Sequence, residues 1–356
     1  MNSEFFKNVL AENEALFITS AENIRYLTGF ASSDGYMLIT KHECILLVDS
    51  RYIEAAREQA ENCTQIILLS SIGKQLCELC EKHGVSVLYP ETQRITLSRF
   101  RTVCGILPSV QVSEDDKADR IINGMRESKT KKELECICSA QRIAEKAFEN
   151  ILGFIKEGVT EREVALELDY FMLRNGAEAV SFETIAVSGA NSSKPHGVPS
   201  EKRIEKGDFI TLDFGAVVKG YHSDMTRTVA LGFVNDEQAK VYETVLKAQE
   251  NALGALYAGA DCSEVDAAAR DYITANGYGE YFGHSTGHGV GVEIHELPTL
   301  SARSSGINLP EGAVVTVEPG IYLPGKFGVR IEDMAFITRD GYINLTKSPK
   351  NLIILN

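Results

Sequence analysis

A chain of 356 residues, 44% hydrophobic and 24% charged, has the length of about two globular domains and the means to bury a large core. A formal net charge of -14 disfavours nucleic acid and anionic membrane as main partners, because both reward Lys/Arg surfaces. The start, Met1 to Ser20, carries Glu4, Glu12 and Glu14 and no long apolar run. It predicts no secretory signal, so the expectation is a cytoplasmic protein with reduced thiols.

Short strands and helices alternate over the first ~120 residues. Tyr36–Thr40 and Ile45–Val48 read as a hairpin around Lys41–Cys44. A helix over Tyr52–Asn62, a strand over Gln65–Leu69, a helix over Lys74–His83 and a strand over Val85–Tyr89 follow. Cys77-x-x-Cys80 falls inside the last of these helices. With no partner Cys-x-x-Cys behind it, it reads as ordinary helix rather than a redox motif. This α/β region holds only His42 and His83 of the seven histidines and shows no catalytic cluster. Ile121–Thr130 is charge-rich and reads as the connection between a domain over 1–125 and one over 130–356.

Glu133 to Ile155 then reads as a long helix, with Ile143, Ala147, Ile151 and Ile155 spaced by four. Thr160-x-x-Glu163 is a capping box opening the next helix, which ends at Asn175-Gly176. Gly158–Gly176 (GVTEREVALELDYFMLRNG) has an echo in Gly259–Gly277 (GADCSEVDAAARDYITANG), with Glu-Val, Asp-Tyr and Asn-Gly at nearly matching offsets. Two similarly capped amphipathic helices would look like this, and so would an ancient duplication with a site between its halves.

Strand patterns place charge where burial is expected. In Phe209–Phe214, Phe209, Thr211 and Asp213 share one face and Ile210, Leu212 and Phe214 the other. Val314, Thr316 and Glu318 share a face, as do Arg330, Glu332 and Met334. Carboxylates in apolar strands are costly to bury unpaired, so they call for a cation. Five of the seven histidines lie between His196 and His295, near Asp213, Asp224, Glu318 and Glu332. The segments are SKPHG, DFGAVVKGYHSD, GHSTGHGVGVEIHE, VEPGIY and VRIED. Four carboxylates and an imidazole make a hard, oxygen-rich set, suited to two divalent ions and to hydrolysis by a hydroxide held between them. Such ligands favour Mn²⁺, Co²⁺ or Fe²⁺.

With these segments in place the sequence resembles the pita-bread metallopeptidases, in their proline-peptidase branch of aminopeptidase P and prolidase (Xaa-Pro dipeptidase). The likeness spans nearly the whole chain. AENIRYLTGF and VDSRYIEAA are similar to the creatinase-type N-terminal domain of that branch. Methionine aminopeptidases of the same fold generally lack that domain and space their last two glutamates further apart than Glu318 and Glu332. The resemblance implies an α/β N-terminal domain followed by a pita-bread catalytic domain with pseudo-twofold halves. It implies that Asp213 chelates one ion, that Asp224 and Glu332 bridge two, and that His288 and Glu318 complete the second. Mn²⁺ is the first choice of metal, with Co²⁺ next and Zn²⁺ or Fe²⁺ as further options. Glu318 would move the nucleophile's proton, His295 would support the tetrahedral intermediate, and His196 would stabilise the carbonyl oxygen or assist nitrogen departure. His284 would line the proline subsite. Arg330 would orient Glu332 or bind substrate, unless it is a structural ion pair; His222 has no assigned role.

The implied function is hydrolysis of the bond preceding proline in peptides, with a homodimer expected. Some prolidases carry an Arg four positions after the residue matching His295, where it can hold a dipeptide's carboxylate. This chain has Thr299 there. That departure leans toward longer, aminopeptidase P-like substrates, although Arg303 or N-domain groups of a partner subunit are possible substitutes. A metal-free creatinase-like enzyme or a non-catalytic peptide-binding relative would not keep this ligand set.

Overall fold

The structure, a computed structural model, describes residues 3–356. It divides into two compact units, Met1–Met125 and Arg126–Asn356.

The first unit is a mixed sheet with helices on both faces. Its elements are α1 (Ser3–Val9), β1 (Glu14–Ile18), α2 (Ala21–Thr28), β2 (Gly35–Thr40), β3 (Cys44–Val48), α3 (Ile53–Gln59), β4 (Gln65–Leu68), α4 (Ile72–Lys82), β5 (Val87–Pro90), α5 (Leu97–Ile106), β6 (Gln111–Val112) and α6 (Lys117–Glu127). The sheet order is β4-β3-β2-β1-β5-β6. The predicted hairpin is present as the antiparallel pair β2–β3. Alternation sorts the strands between two cores. Leu16, Ile18, Leu46 and Val48 face one, while Ala15, Phe17, Ile45 and Leu47 face the other. That period of two is what a sheet buried on both faces requires. Cys77 and Cys80 both sit on α4, and the Cys77 thiol donates to the Ile106 carbonyl at 2.8 Å. The region read as a charge-rich connection, Ile121–Thr130, is helical through Glu127. Its charge belongs to an amphipathic helix whose Ala118 and Ile122 are buried.

The second unit opens with α7 (Lys131–Phe154) and α8 (Glu161–Arg174), both entered through capping boxes, Thr130/Glu133 and Thr160/Glu163. Strands β7 (Ala179–Val180), β8 (Ile185–Ser188), β9 (Phe209–Phe214), β10 (Ala216–Val218), β11 (Tyr221–His222) and β12 (Met225–Leu231) complete a first half. The second half holds α9 (Asp236–Gly254), α10 (Cys262–Ala275), β13 (Gly287–Gly289), β14 (Glu296–Leu300), β15 (Val314–Val317), β16 (Gly320–Leu323), β17 (Phe327–Arg330), β18 (Asp333–Thr338) and β19 (Gly341–Asn344), with β20 (Ile354–Leu355) closing the chain. Two sheets dominate, β20-β12-β9-β8 and β14-β13-β15-β18-β19.

The halves repeat each other in detail, and the echo in the sequence is their signature. α8 and α10 are the two echoing helices. Just before each, an isolated bridge ties the chain to a later segment, Thr160 to Arg203 and Asp261 to Asn308. Gly158 N–H donates to the Ile204 carbonyl at 2.9 Å, and Gly259 N–H donates to the Leu309 carbonyl at 2.8 Å. β9 then pairs antiparallel with β12, as β15 does with β18. The alternation expected in β9 is present: Ile210, Leu212 and Phe214 enter the core beneath α7 and α8, while Phe209 enters the core around α9 and α10.

Candidate metal centre

The carboxylates occupy matching places in the two halves. Asp213 lies six residues after Gly207 (213 − 207), and Glu318 six after Gly312 (318 − 312). Both glycines have positive φ, 91° and 87°, and each turns the chain into its strand. Asp224 immediately precedes β12 and Glu332 immediately precedes β18. Because each of these strands runs antiparallel to its partner, the four acids meet at one end of the paired sheets. The Lys219-Gly220 turn closes the small hairpin β10–β11, which is inserted between Asp213 and Asp224.

One expectation about this region is corrected. Arg330, Glu332 and Met334 do not share a strand face. The strand breaks at Ile331–Glu332, because Glu332 N–H turns aside to donate to the Thr226 carbonyl at 3.1 Å. β17 and β18 consequently belong to different sheets. Arg330 therefore holds Asp213, at 2.6 Å from Nη2 to Oδ2, and not Glu332. Its other nitrogens donate to the Tyr322 hydroxyl at 2.8 Å, the Thr226 hydroxyl at 3.1 Å and the Pro195 carbonyl at 3.3 Å.

His288 stands among the acids, with Nε2 at 3.3 Å from Glu318 Oε1 and 3.6 Å from Asp224 Oδ2. It reaches them from β13, which lies flat on β15 because Gly287 has no side chain; a Cβ there would meet the Thr316 carbonyl oxygen at 1.9 Å. Ligand atoms of Asp224, His288 and Glu332 all lie within 4.8 Å of one another. Burial, then repulsion from Glu332, Asp213 and Glu318, pushes the Asp224 carboxyl well above its ordinary range. Burial, then repulsion from Glu318 and Asp213, does the same to Glu332. Burial also raises Asp213, against the pull of Arg330. Burial works upward on Glu318 too, but the His288 hydrogen bond and charge outweigh it and hold that carboxyl down at about 2.

These residues fit divalent metal on two structural grounds. Asp213 Oδ1 and Glu332 Oε1 are buried and have no hydrogen-bond partner among the described residues. Orphaned carboxylate oxygens of this kind are costly unless a cation meets them. Four mutually repelling acids beside one imidazole also form a hard donor set with excess negative charge, which oxygen-preferring divalent ions neutralise.

The acids and His288 line a cavity of about 540 Å³. His196, His284 and His295 line it as well, so every residue singled out from the sequence as catalytic, substrate-binding or metal-ligating borders this one space. The His295 ring packs edge-on against His288, with centroids 4.3 Å apart. Desolvation, followed by the neighbouring His288, lowers its pKa and favours the neutral ring. His284 places Nδ1 at 2.8 Å from the Ser285 carbonyl and Nε2 at 2.9 Å from the Tyr322 hydroxyl. His222 lies on β11, and its Nδ1 pairs with the Ser181 hydroxyl at 2.8 Å.

The sequence matches two family models. Residues 135–339 match the metallopeptidase family M24 and residues 11–128 the creatinase/prolidase N-terminal domain. The chain belongs to metallopeptidase family M24. Among its relatives is an uncharacterized peptidase, YqhT of Bacillus subtilis, 43% identical over 96% of each chain. A solved Xaa-Pro dipeptidase from Bacillus anthracis superimposes with a TM-score of 0.93 at 41% identity, covering 99% of this chain and 100% of its own. An X-Pro aminopeptidase from Thermotoga maritima gives 0.90 at 37% identity, covering 98% and 99%. The resemblance to the pita-bread proline peptidases, with a creatinase-type N-terminal domain, is thereby established. The M24 family is metal-dependent, and the cluster around Asp224 is where this member can hold its metal.

Several residues that shape the M24 site escape sequence reading. Tyr322 is buried and links His284 to Arg330, and so to Asp213. Burial, against the pull of Arg330, lifts its hydroxyl pKa to about 12, so it stays a neutral donor. Thr226 donates to Glu332 Oε2 at 2.7 Å. Thr316 accepts from His288 N–H at 3.0 Å and donates to Glu318 Oε1 at 3.1 Å. For the threonines the available signal was parity, since Thr316 shares its strand face with Glu318. For Tyr322 there was none: Arg330 meets it across the β16–β17 hairpin and His284 from 38 residues back, and neither contact has a local pattern.

Proposed function

We propose that this chain hydrolyses the peptide bond preceding proline, with two divalent ions held by Asp213, Asp224, His288, Glu318 and Glu332. Mn²⁺ is the first candidate, Co²⁺ the next, and Zn²⁺ or Fe²⁺ further occupants. The observation that carries this reading is the pair of partnerless buried oxygens, Asp213 Oδ1 and Glu332 Oε1, in a cavity shared with three further histidines. Divalent ions bound there supply Lewis acidity and a water nucleophile near neutral pH.

The protein's own groups divide the remaining work. Glu318 accepts the nucleophile's proton and passes it on. His295 and His196, both open to the cavity, donate to the developing oxyanion and to the departing nitrogen; one such donor is worth ~2.7–4 kcal/mol. His284 has both ring nitrogens engaged within the protein, so it offers substrate an apolar ring surface, which suits the compact pyrrolidine. Arg330 acts by orienting Asp213. The Xaa-Pro bond lacks an N–H, so a site selecting it recognises shape, and Phe182, Ile185 and Ile294 add apolar lining.

Substrate length follows from charge. Among the described residues lining the cavity, Arg330 is the one arginine or lysine, and its guanidinium already spans four protein partners. Thr299 lines the cavity where some prolidases place an arginine. A dipeptide's free carboxylate finds little support here, which favours longer Xaa-Pro peptides.

The test is hydrolysis by metal-stripped protein with and without Mn²⁺ or Co²⁺, beside an Asp213→Ala variant. The substrates are an Xaa-Pro dipeptide, an Xaa-Pro tripeptide and an Xaa-Ala control. Metal-dependent cleavage of the proline peptides, lost in the variant and faster on the tripeptide, is the expected result. Folded protein that cleaves none of them with any metal would sink the reading.

A further inference from the structure

Two glutamates flank His295: Glu296, the first residue of β14, follows directly and Glu293 lies two residues before. The Glu296 carboxylate, only 6% exposed, accepts from Lys129 Nζ at 2.8 Å and from Arg126 through Nε at 3.2 Å and through Nη2. Arg126 Nη2 also donates to Glu293 Oε2 at 2.6 Å. The two cations are themselves enclosed, with side chains 3% and 2% exposed. Their charges cancel those of the glutamates.

A cluster like this is a poor choice for stability alone. Removing four charges from water is costly, and an apolar plug of equal volume often does as well. What paired charges add is direction, since an arginine fork fixes a carboxylate in orientation as well as distance. The local backbone is built around it. Gly291 leaves room for the carboxylate, because a Cβ there would meet Glu296 Oε1 at 2.1 Å. Glu296 also pairs with Gly289 across a bulge in β13–β14, joining both ends of the loop between His288 and His295. The cations are anchored in turn: Lys129 N–H donates to the Gly312 carbonyl at 2.8 Å and the Ser128 hydroxyl to the Glu311 carbonyl at 2.7 Å. His295 itself has nothing comparable. Among the described residues no group hydrogen-bonds its ring, which rests only edge-on against His288. Its aim is therefore inherited from the backbone that Glu296 pins.

We infer that Arg126 and Lys129 are positioning residues, which fix the aim of His295 at the cavity through Glu296. The inference rests on the proposed peptidase reading, and its test separates the two.

Full-length metal-loaded enzyme is assayed on an Xaa-Pro tripeptide as wild type, Arg126→Gln, Glu296→Gln and His295→Ala, and with each of the first two substitutions combined with His295→Ala. Arg126→Gln and Glu296→Gln should each lower kcat by about 10- to 100-fold, with KM and bound metal little changed. Arg126→Lys should recover part of the loss. In the His295→Ala background the same substitutions should cost almost nothing more, because residues acting through one group are not additive. Backbone hydrogen exchange over residues 290–296 should quicken in both variants, while β9 and β12 keep their protection. Unchanged kcat, or losses that multiply with that of His295→Ala, overturn the inference. If Arg126→Gln does not fold, Glu296→Gln and Lys129→Met carry the same cycle. If the wild type cleaves no proline peptide, it is the peptidase reading that fails; the exchange measurement then decides positioning alone, and unchanged protection at 290–296 overturns it.

Discussion

Glu332 and Asp333 are neighbours in the chain, both almost wholly buried, and opposite in every electrostatic respect. Asp333 meets Arg227 at 2.8 Å and Lys350 at 2.9 Å, and accepts from Asn344 at 2.9 Å and Gln249 at 3.1 Å. Burial works to raise its pKa, but the two cations overcome this and hold the carboxyl below its ordinary range. Glu332 accepts one hydroxyl, from Thr226, keeps Oε1 without a partner among the described residues, and is pushed well above its range. Alternation sends the two side chains to opposite sides of one strand start. One side was filled with donors and the other was left short of them. Burial of a carboxylate is therefore no mark of a site; buried and unprovided is.

The sharpest way to break this contrast is to neutralise each member. Glu332→Gln should abolish measurable turnover and reduce bound metal, while leaving the fold intact or steadier in the metal-free state, since it removes a repelled charge. Metal analysis beside thermal melts of stripped protein reads both effects. Asp333→Asn should do the reverse. It leaves Arg227 and Lys350 buried with less compensation and should cost about 3–5 kcal/mol in stability, measured by urea unfolding. Protein that remains folded should still bind metal. Should Asp333→Asn strip the metal at unchanged stability, the two sides of the strand would have been assigned the wrong way round.

A smaller effect comes from pH, and the sign differs between the two acids. In stripped protein Asp213, Asp224 and Glu332 hold their protons to higher pH than the unfolded chain does, whose ordinary values are 3.8 for Asp and 4.5 for Glu. The native state then binds more protons than the unfolded state, so their contribution is present at low pH and lost as pH rises through the folded values. Asp333, and Glu318 at about 2, act oppositely: they stabilise above the unfolded value and lose that as pH falls. The raised acids govern the range above their ordinary unfolded values. There the Tm of stripped protein should fall with rising pH, and Mn²⁺ should reverse most of the fall. A Tm of stripped protein that rises steadily across that range would contradict the charge arrangement described for the site.

How much of this was legible beforehand depends on how local each signal is. Period-two alternation exposed β9 and the hairpin β2–β3, since faces can be read from the sequence itself. The capping box at Thr160 and the paired helices α8 and α10 were visible because caps and helix ends are short-range. The acids showed because charge in an apolar strand is anomalous without knowing any partner. What failed to show was pairing over distance. Arg330 was read against Glu332, two residues away, while its partner is Asp213, 117 positions off. Arg227, buried beneath the site, and the Arg126–Glu296 contact, 170 positions apart, gave no sequence signal, because one arginine in a charge-rich stretch resembles any other. The helical form of Ile121–Thr130 through Glu127 did not show, because its apolar stripe is short among its charges.

The smallest expected effect concerns Thr299 in the cavity lining. This residue is half-buried on β14, paired across to His288 on β13. An arginine at 299 would start from backbone beside the acids, and its long stem could place the guanidinium over the cavity. Two forces then compete. The site's negative charge would draw the guanidinium inward onto Glu318 or Asp224, against metal, while a dipeptide's carboxylate would hold it toward the mouth. With metal bound the acids are neutralised, so the second arrangement should win. Thr299→Arg should then raise kcat/KM for an Xaa-Pro dipeptide about tenfold, the worth of one modest charged contact at 1.4 kcal/mol. For a tripeptide, whose carboxylate lies beyond reach, it should change little. The ratio of the two, measured at saturating Mn²⁺, is the readout. A ratio that does not move would place the dipeptide's carboxylate elsewhere and remove the charge argument for longer substrates; a loss on both peptides with reduced metal content would show the guanidinium turned inward.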